Sequence, residues 1–263
     1  MFNWEERSKV RDMGNGKVRT AGVAMAMQGS CISNVDVGSA TVKLSEDGTY
    51  NLIIGAADMG TGCDTILAQM VAELMDCSVD DVAVFGADTD VSPYDSGSYA
   101  SSTTYITGQA VVKACGELKQ RICAIATKML NCEEEAVVFE GTQVNSEQAV
   151  SLTDIAYQSQ VGNSISAEST ATHSSSVSPP PYMVGMVEIE LDKLTGKVDI
   201  LDYMAVVDCG IPINPALARI QTEGGIVQGI GHTLMENVTY NDSGRPLESS
   251  FMQYKLPPRQ DIG

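Results

Sequence analysis

The pattern of apolar and polar positions is clearest between Leu52 and Leu74. Leu52-Ile53-Ile54 is a short apolar run, and Gly55 to Gly62 breaks it with Gly55, Asp58, Gly60, Thr61 and Gly62. Ile66, Leu67, Met70, Val71 and Leu74 then recur at spacings of three and four, the period of a one-sided helix. The pattern predicts a strand, a glycine turn and a helix from Asp64 to Met75. Such a turn leaves backbone N–H groups free where the helix dipole adds partial positive charge, which suits a phosphate. It fits equally a tight turn in which glycine only supplies positive φ.

Around this stretch the periodicity gives further elements. Residues 1–20 read as a lead-in, with a short helix from Trp4 to Arg11 and a turn at Gly14-Asn15-Gly16. Ala21 to Gln28 reads as a buried strand. Ser39 to Leu44 alternates, Glu46-Asp47-Gly48 turns, and Thr49 to Ile54 returns as a hairpin. Val82 to Phe85 is a short strand. A loop dense in hydroxyls, Asp88 to Thr104, runs into a long helix marked by Val111, Ala114, Leu118, Ile122, Ile125 and Met129 and ending near Asn131. Serine and threonine at a helix start cap it, but these hydroxyls outnumber the needs of one cap and also suit an anionic ligand. Ala136 to Val144 reads as a hairpin around Gly141-Thr142, and Leu152 to Gln158 as a short helix. Ile165 to Pro181, rich in Ser, Thr and Pro, reads as an irregular connection, with His173 exposed and passive.

From Val184 the outline repeats: a hairpin turning at Asp192 to Gly196, a loop from Asp208 to Pro215, then a helical segment carrying Gly224, Gly225, Gly229 and Gly231. The expected fold class is therefore α+β, with two similar two-layer α/β subdomains built from duplicated strand-hairpin-loop-helix units. The division read from the sequence is a lead-in at 1–20, a first subdomain at 21–163, a connection at 164–181 and a second subdomain at 182–263. The four glycines lower helix propensity and fit a backbone that must approach another surface closely.

Composition narrows the function. The chain has 263 residues, is 43% hydrophobic and carries a formal charge of −18, so it is globular and lacks the clustered Lys and Arg that nucleic-acid binding requires. A phosphate here would have to be held by backbone amides and hydroxyls. The 7 cysteines form no C-x-x-C pair and there are 2 histidines, which fits buried free thiols in a reducing compartment and leaves little for a His/Cys zinc site. No apolar run reaches membrane-spanning length and the N-terminus has no signal-peptide core, so the expectation is a cytoplasmic protein without a membrane partner. A hydrolase using Ser98, Ser101 or Ser102 with His232 has no evident orienting carboxylate.

Taken in order, these motifs resemble the C-terminal, molybdopterin-binding half of the large subunit of the xanthine dehydrogenase family, the molybdenum hydroxylases. The residues that carry the resemblance are Gly55-x-x-Asp58-Met59-Gly60-Thr61-Gly62, Asp88-Thr89, Ser98-Tyr99-Ala100-Ser101-Ser102-Thr103 and Gly108-Gln109-Ala110. Glu188-Ile189-Glu190, Asp208-Cys209-Gly210, Ile213-Asn214-Pro215, Gln221-Thr222-Glu223-Gly224-Gly225 and Val227-Gln228-Gly229-Ile230-Gly231 continue it. The resemblance implies a chain that grips a molybdopterin cofactor with molybdenum, in bacteria often as the cytosine dinucleotide. It assigns Gly60, Thr61, Gly62, Ser101, Ser102, Thr103 and Gln221 to the cofactor, and Tyr99 and Ala100 to the neighbourhood of the substrate. The family usually has glutamine where this chain has Thr61.

The implied reaction is oxidative hydroxylation of a purine or related N-heterocycle, with an aldehyde oxidoreductase of the same family, or a cofactor-free assembly module, as the alternatives. Implied partners are the N-terminal half of the same large subunit and domains or subunits carrying 2Fe-2S clusters and FAD. The family's glutamate base lies in a Gly-x-Gly-Glu-Pro motif beyond the segment resembling Tyr254-Lys255-Leu256-Pro257. No catalytic residue is therefore assigned before Gly263, and the chain by itself is expected to be inactive.

Overall fold

The computed structural model describes residues 2–161 and 165–259. The chain forms two compact units, one from Gly29–Pro180 and one that joins the residues up to Gln28 with those from Pro181 onward. In chain order the elements are α1 (Trp4–Arg7), β1 (Arg11–Gly14), β2 (Lys17–Met27), β3 (Val37–Leu44), β4 (Tyr50–Ile54), α2 (Cys63–Met75), β5 (Val82–Gly86) and α3 (Thr103–Leu130). They continue with β6 (Val138–Glu140), β7 (Gln143–Asn145), β8 (Ala149–Ser151), α4 (Leu152–Val161), β9 (Glu168–Ser174), β10 (Tyr182–Asp192), β11 (Val198–Asp208) and α5 (Pro215–Leu234). The α+β expectation holds. None of the described helices is long and apolar enough to cross a membrane.

In the unit from Gly29–Pro180 the main sheet has the order β5-β4-β3-β9. The hairpin β3–β4 is antiparallel, and β4–β5 is parallel from Tyr50↔Val82 to Ile54↔Gly86. A parallel pair needs a crossover, and α2 supplies it. The alternating residues Val42, Leu52 and Ile54 are fully buried, together with Leu67, Val71 and Met75 of α2 and Ile106, Leu118, Ile122 and Ile125 of α3. The apolar stripes read from the sequence are thus the faces that meet. A smaller antiparallel sheet, β6-β7-β8, precedes α4.

The stretch 165–181, read as irregular, contains β9, which pairs with β3 from Val37↔Ser174 to Lys43↔Glu168. Its alternation is real but chemically faint, because the buried positions are Ala167, Ser169 and Ala171. Small residues are required there since α3 lies directly over β3 and β9. The buried Ser169 hydroxyl donates to Glu117 on α3 at 2.6 Å.

The other unit has the sheet order β1-β2-β10-β11, with every pairing antiparallel. The lead-in differs from expectation: the helix stops at Arg7, and Arg11–Gly14 is a strand folded back on β2 through Asn15 and Gly16, both at positive φ, the geometry of a tight hairpin. Residues 21–28 also sit apart from the division read in the sequence, because β2 pairs along the whole of β10, from Lys17↔Asp192 to Met27↔Tyr182. The expected boundary at 163/164 lies outside the described residues. The order hairpin, Asp-bearing loop, helix does recur, as β3–β4 then α2, and as β10–β11 then α5.

Charge organises this second sheet. Glu188 and Glu190 are buried. Glu190 bonds Lys17 at 2.6 Å and Arg19 at 2.7 Å, while Glu188 is paired with Arg11 and, at 3.2 Å, with Arg7, which also bonds Asp202. Four of the 16 basic residues are thus used to hold α1, β1 and β2 on β10 and β11. Lys17 and then Arg19 hold the Glu190 carboxyl below the usual carboxylate range.

Two outcomes follow from this packing. Leu118→Ala, on a side chain with no solvent exposure, should cost roughly 2–5 kcal/mol in denaturant unfolding of the unit. A depressed Glu190 contributes stability that is present above its ordinary pKa and is lost as pH falls through its native value. Protection of the β1 and β2 amides, taken relative to the intrinsic exchange rate at each pH, should therefore fall on acidification below about pH 4, and Glu190→Gln should blunt that fall.

Candidate functional site

In the unit from Gly29–Pro180, β4 and β5 end side by side at Ile54 and Gly86. The loop 55–62 into α2 and the loop 87–102 into α3 therefore leave the same edge of the sheet. This is the carboxyl edge of a parallel pair, where ligands of open α/β sheets bind. The start of β3 lies at that edge as well, since β3 runs antiparallel to β4 with Ala40↔Ile54.

The first loop is organised by one carboxylate. Asp58 accepts from the backbone N–H of Gly60 at 2.9 Å and of Gly62 at 3.1 Å through Oδ1, and from that of Asp64 at 3.4 Å through Oδ2. Gly60 and Gly62 stand at φ 106° and 76°, where a side chain would be strained. These bonds, Gly60 first, hold the Asp58 carboxyl below its ordinary range. Three of the N–H groups expected to be free at this turn, those of Gly60, Gly62 and Asp64, are thus engaged by Asp58. Burial, then Asp58 and Asp64, pushes the Cys63 thiol up to about 11. Burial also raises Asp64, with Asp58 adding to the effect. Asp58, Cys63 and Asp64 each offer one ligand atom within 4.8 Å of the others, but both oxygens of Asp58 are already committed to backbone N–H groups of the loop.

The second loop is built differently. Asp88 and Asp95 fold it by accepting from Asp90 N–H at 2.9 Å and Gly97 N–H at 2.8 Å. Ser102 precedes α3, and its hydroxyl donates back to the Gly97 carbonyl at 3.3 Å. The hydroxyls of Ser98 and Thr103 bond one another. The helix start therefore has no side-chain cap and no acidic residue in its first turn. Its first N–H groups have no acceptor within the helix, and a 28-residue helix brings a full dipole to them.

In the other unit, Asp208 accepts from Gly210 N–H at 3.1 Å, and Asn214 caps α5 by accepting from Leu217 N–H at 3.0 Å, with Pro215 in the first turn. Gln221 is exposed on this helix. Gly224, Gly225 and Gly229 have open space where a side chain would stand, and Gly231 alone of α5 is buried, beside Glu236 and Pro257.

The structure brings Gly60, Thr61 and Gly62 and the run Tyr99 to Thr103 to one sheet edge, and places Gln221 in the other unit. Thr61 and Ser101 are exposed and Tyr99 is 62% exposed. Ser101 stands in the left-handed region at φ 57°, and Ser102 is buried with its hydroxyl turned into the loop. His173, read as passive, is half-buried: its ring meets Tyr105 edge-on at 6.4 Å and its buried Nδ1 has no hydrogen-bond partner. Sequence reasoning missed the structural carboxylates. The signal was available as aspartate two residues before glycine, at Asp12, Asp58, Asp95 and Asp208, each bonding that glycine's N–H.

The family model described as molybdopterin cofactor-binding domain matches residues 1–263. This chain belongs to that family. Among curated proteins it is 33% identical over 244 residues to "Probable hypoxanthine oxidase XdhD" of Escherichia coli K12, covering 92% of the chain and 26% of that protein. It is 34% identical over 278 residues to the xanthine dehydrogenase molybdenum-binding subunit of Escherichia coli O157:H7, covering all of the chain and 36% of that protein. Among solved structures, quinoline 2-oxidoreductase from Pseudomonas putida 86 superposes with a TM-score of 0.83 at 26% identity, over 94% of this chain and 34% of that one. The cofactor-binding domain thus spans about a quarter to a third of the curated relatives it matches.

The geometry of the first loop gives a direct test. Asp58→Ala removes the acceptor for three N–H groups and should cost on the order of 1 kcal/mol, as a lost helix cap does. Asp58→Asn keeps a neutral acceptor and should recover part of it. Thermal unfolding of the three proteins reads the difference, and equal melting of wild type and Asp58→Ala would refute the capping role.

Proposed function

We propose that this cofactor-binding domain holds a molybdopterin cofactor, in its cytosine dinucleotide form, within the large subunit of a molybdenum hydroxylase acting on a purine or related N-heterocycle. The observation that carries the reading is the start of α3: uncapped, free of acidic residues and rich in hydroxyls, on the carboxyl edge of the parallel pair. In a chain of charge −18, this helix start offers donors with no acidic residue in its first turn, and the nearby Asp95 carboxylate is engaged by Thr107 and Gly97. The residues present fit the group.

The α3 N–H groups with Ser101 and Thr103 would take the phosphate, and Ser102 would keep the loop shaped for it. Gly60 and Gly62 would offer a flat surface with no side chain in the way, and the exposed Thr61 would add a hydroxyl of shorter reach than the family's glutamine. Gln221 would contact the cofactor from α5, with Tyr99 and Ala100 towards the substrate. When bound, the cofactor supplies the two-electron oxidation of the substrate carbon, and the chain binds and orients it. The N-heterocycle assignment is supported by relatives named for hypoxanthine, xanthine and quinoline. Iron–sulfur and flavin partners would carry the electrons away, and the isolated chain should show no turnover.

The test is made on the complete native assembly, by counting molybdenum and iron per complex and identifying the nucleotide released by acid. Near-stoichiometric molybdenum with CMP supports the reading. Their absence from a folded complex made in a cell that synthesises the cofactor would favour an assembly module. Thr104→Asp, on an exposed residue of the first turn, separates binding from stability: it should stabilise α3 by ~0.3–1 kcal/mol through the dipole, yet lower molybdenum occupancy.

A further inference from the structure

Residues 93–97 differ in kind from the residues that follow them. Gly55, the first residue after β4, has no room for a side chain: a Cβ would lie 2.8 Å from Cβ of Asp95 and would collide with the Pro93 carbonyl. One residue on, Ser96 is tied to the start of β3 twice, donating its N–H to the Val37 carbonyl at 2.8 Å and accepting the Val37 N–H on its hydroxyl at 3.0 Å. The Asp95 carboxylate joins this contact to α3. Its Oδ2 accepts from the Thr107 hydroxyl at 2.8 Å and its Oδ1 from Gly97 N–H at 2.8 Å. Thr107 is 1% exposed, and Gly38 on β3 leaves no space for a Cβ, which would stand 2.6 Å from the Thr107 hydroxyl and 2.8 Å from its Cα. Hydrogen bonds to an ionised acceptor are the stronger kind, and this one is shielded from water on the Thr107 side.

We propose that Asp95 and Thr107, seated against Gly55 and Gly38, are positioning residues for the cofactor. They fix residues 93–97, so that 98–103 are presented in one conformation at the α3 start. This rests on the reading of that loop as cofactor-facing. Neither residue touches the cofactor, and both act through the loop they hold. Thr107→Val removes only the hydroxyl at constant shape, Thr107→Ser restores it, and Gly55→Ala pushes on the same clamp from the opposite side.

The complete enzyme, isolated with and without its cofactor, is probed by limited chymotrypsin cleavage after Tyr94 and Tyr99 and by molybdenum and nucleotide content. In cofactor-free enzyme Thr107→Val should be cut about tenfold faster than wild type or more. Its molybdenum and CMP content should fall in step, and Thr107→Ser should recover both. If Thr107→Val does not fold by circular dichroism, Gly55→Ala carries the same comparison. Wild-type cleavage and full occupancy in the folded variants would overturn the proposal. So would faster cleavage with undiminished occupancy. Failure of the underlying reading shows separately, in wild type alone, as a loop cut equally fast with and without bound cofactor.

Discussion

The close approach at Gly55 is the constraint on which the described site depends. The parallel pairing of β4 with β5 sends two loops out at one edge, but pairing alone would leave them as neighbours with independent shapes. Removing the side chain at Gly55 lets the second loop lie on the end of β4, and Asp95 then ties that loop to α3. Backbone contact, buried hydroxyl and carboxylate each satisfy a need set by the others. A buried threonine hydroxyl needs an acceptor, the Gly97 N–H needs one too, and a single carboxylate serves both.

Carboxylates in this chain do two kinds of work. In both units aspartates substitute for backbone carbonyls, accepting N–H groups in turns at Asp47, Asp58, Asp88 and Asp95 and at Asp12 and Asp208. In the unit that holds β10, Glu188 and Glu190 are neutralised by lysine and arginine across the sheet. Part of the acidity that marks the composition is therefore structural. The consequence for the site is a contrast between two helix starts at one edge: Asp58 reaches the first turn of α2, whereas the first turn of α3 has no acidic residue and no cap from the Ser102 side chain.

The hairpin β3–β4, the crossover helix α2 and the long helix α3 were legible in the sequence, because each has a strong apolar period that packing then uses. The family was legible too, from motifs in order. β9 was not, since its buried positions are alanine and serine and carry no hydrophobic signal. Nor was the return of β1 on β2, where the charges of the lead-in read as solvated until Glu188 and Glu190, far along the chain, supply partners to Arg11 and to Lys17 and Arg19. The direction in which Ser102 points, and the use of Asp58 by its own loop, depend on backbone geometry that composition and spacing do not encode.

The second sheet also sets an order of events during synthesis. β2 ends at Met27, and the strand it pairs with, β10, begins at Tyr182. A ribosome delivering the chain from its N-terminus completes the whole unit from Gly29–Pro180 in between. Among the strands of this sheet β2 has only β1 beside it throughout that interval, and its side chains include Met25, 77% exposed even in the finished fold. Late, non-local pairing of this kind is slow and leaves strands open to wrong partners. The basic residues at the N-terminal end of β2 share that wait: Lys17 and Arg19 meet their partner Glu190 only once β10 has been made.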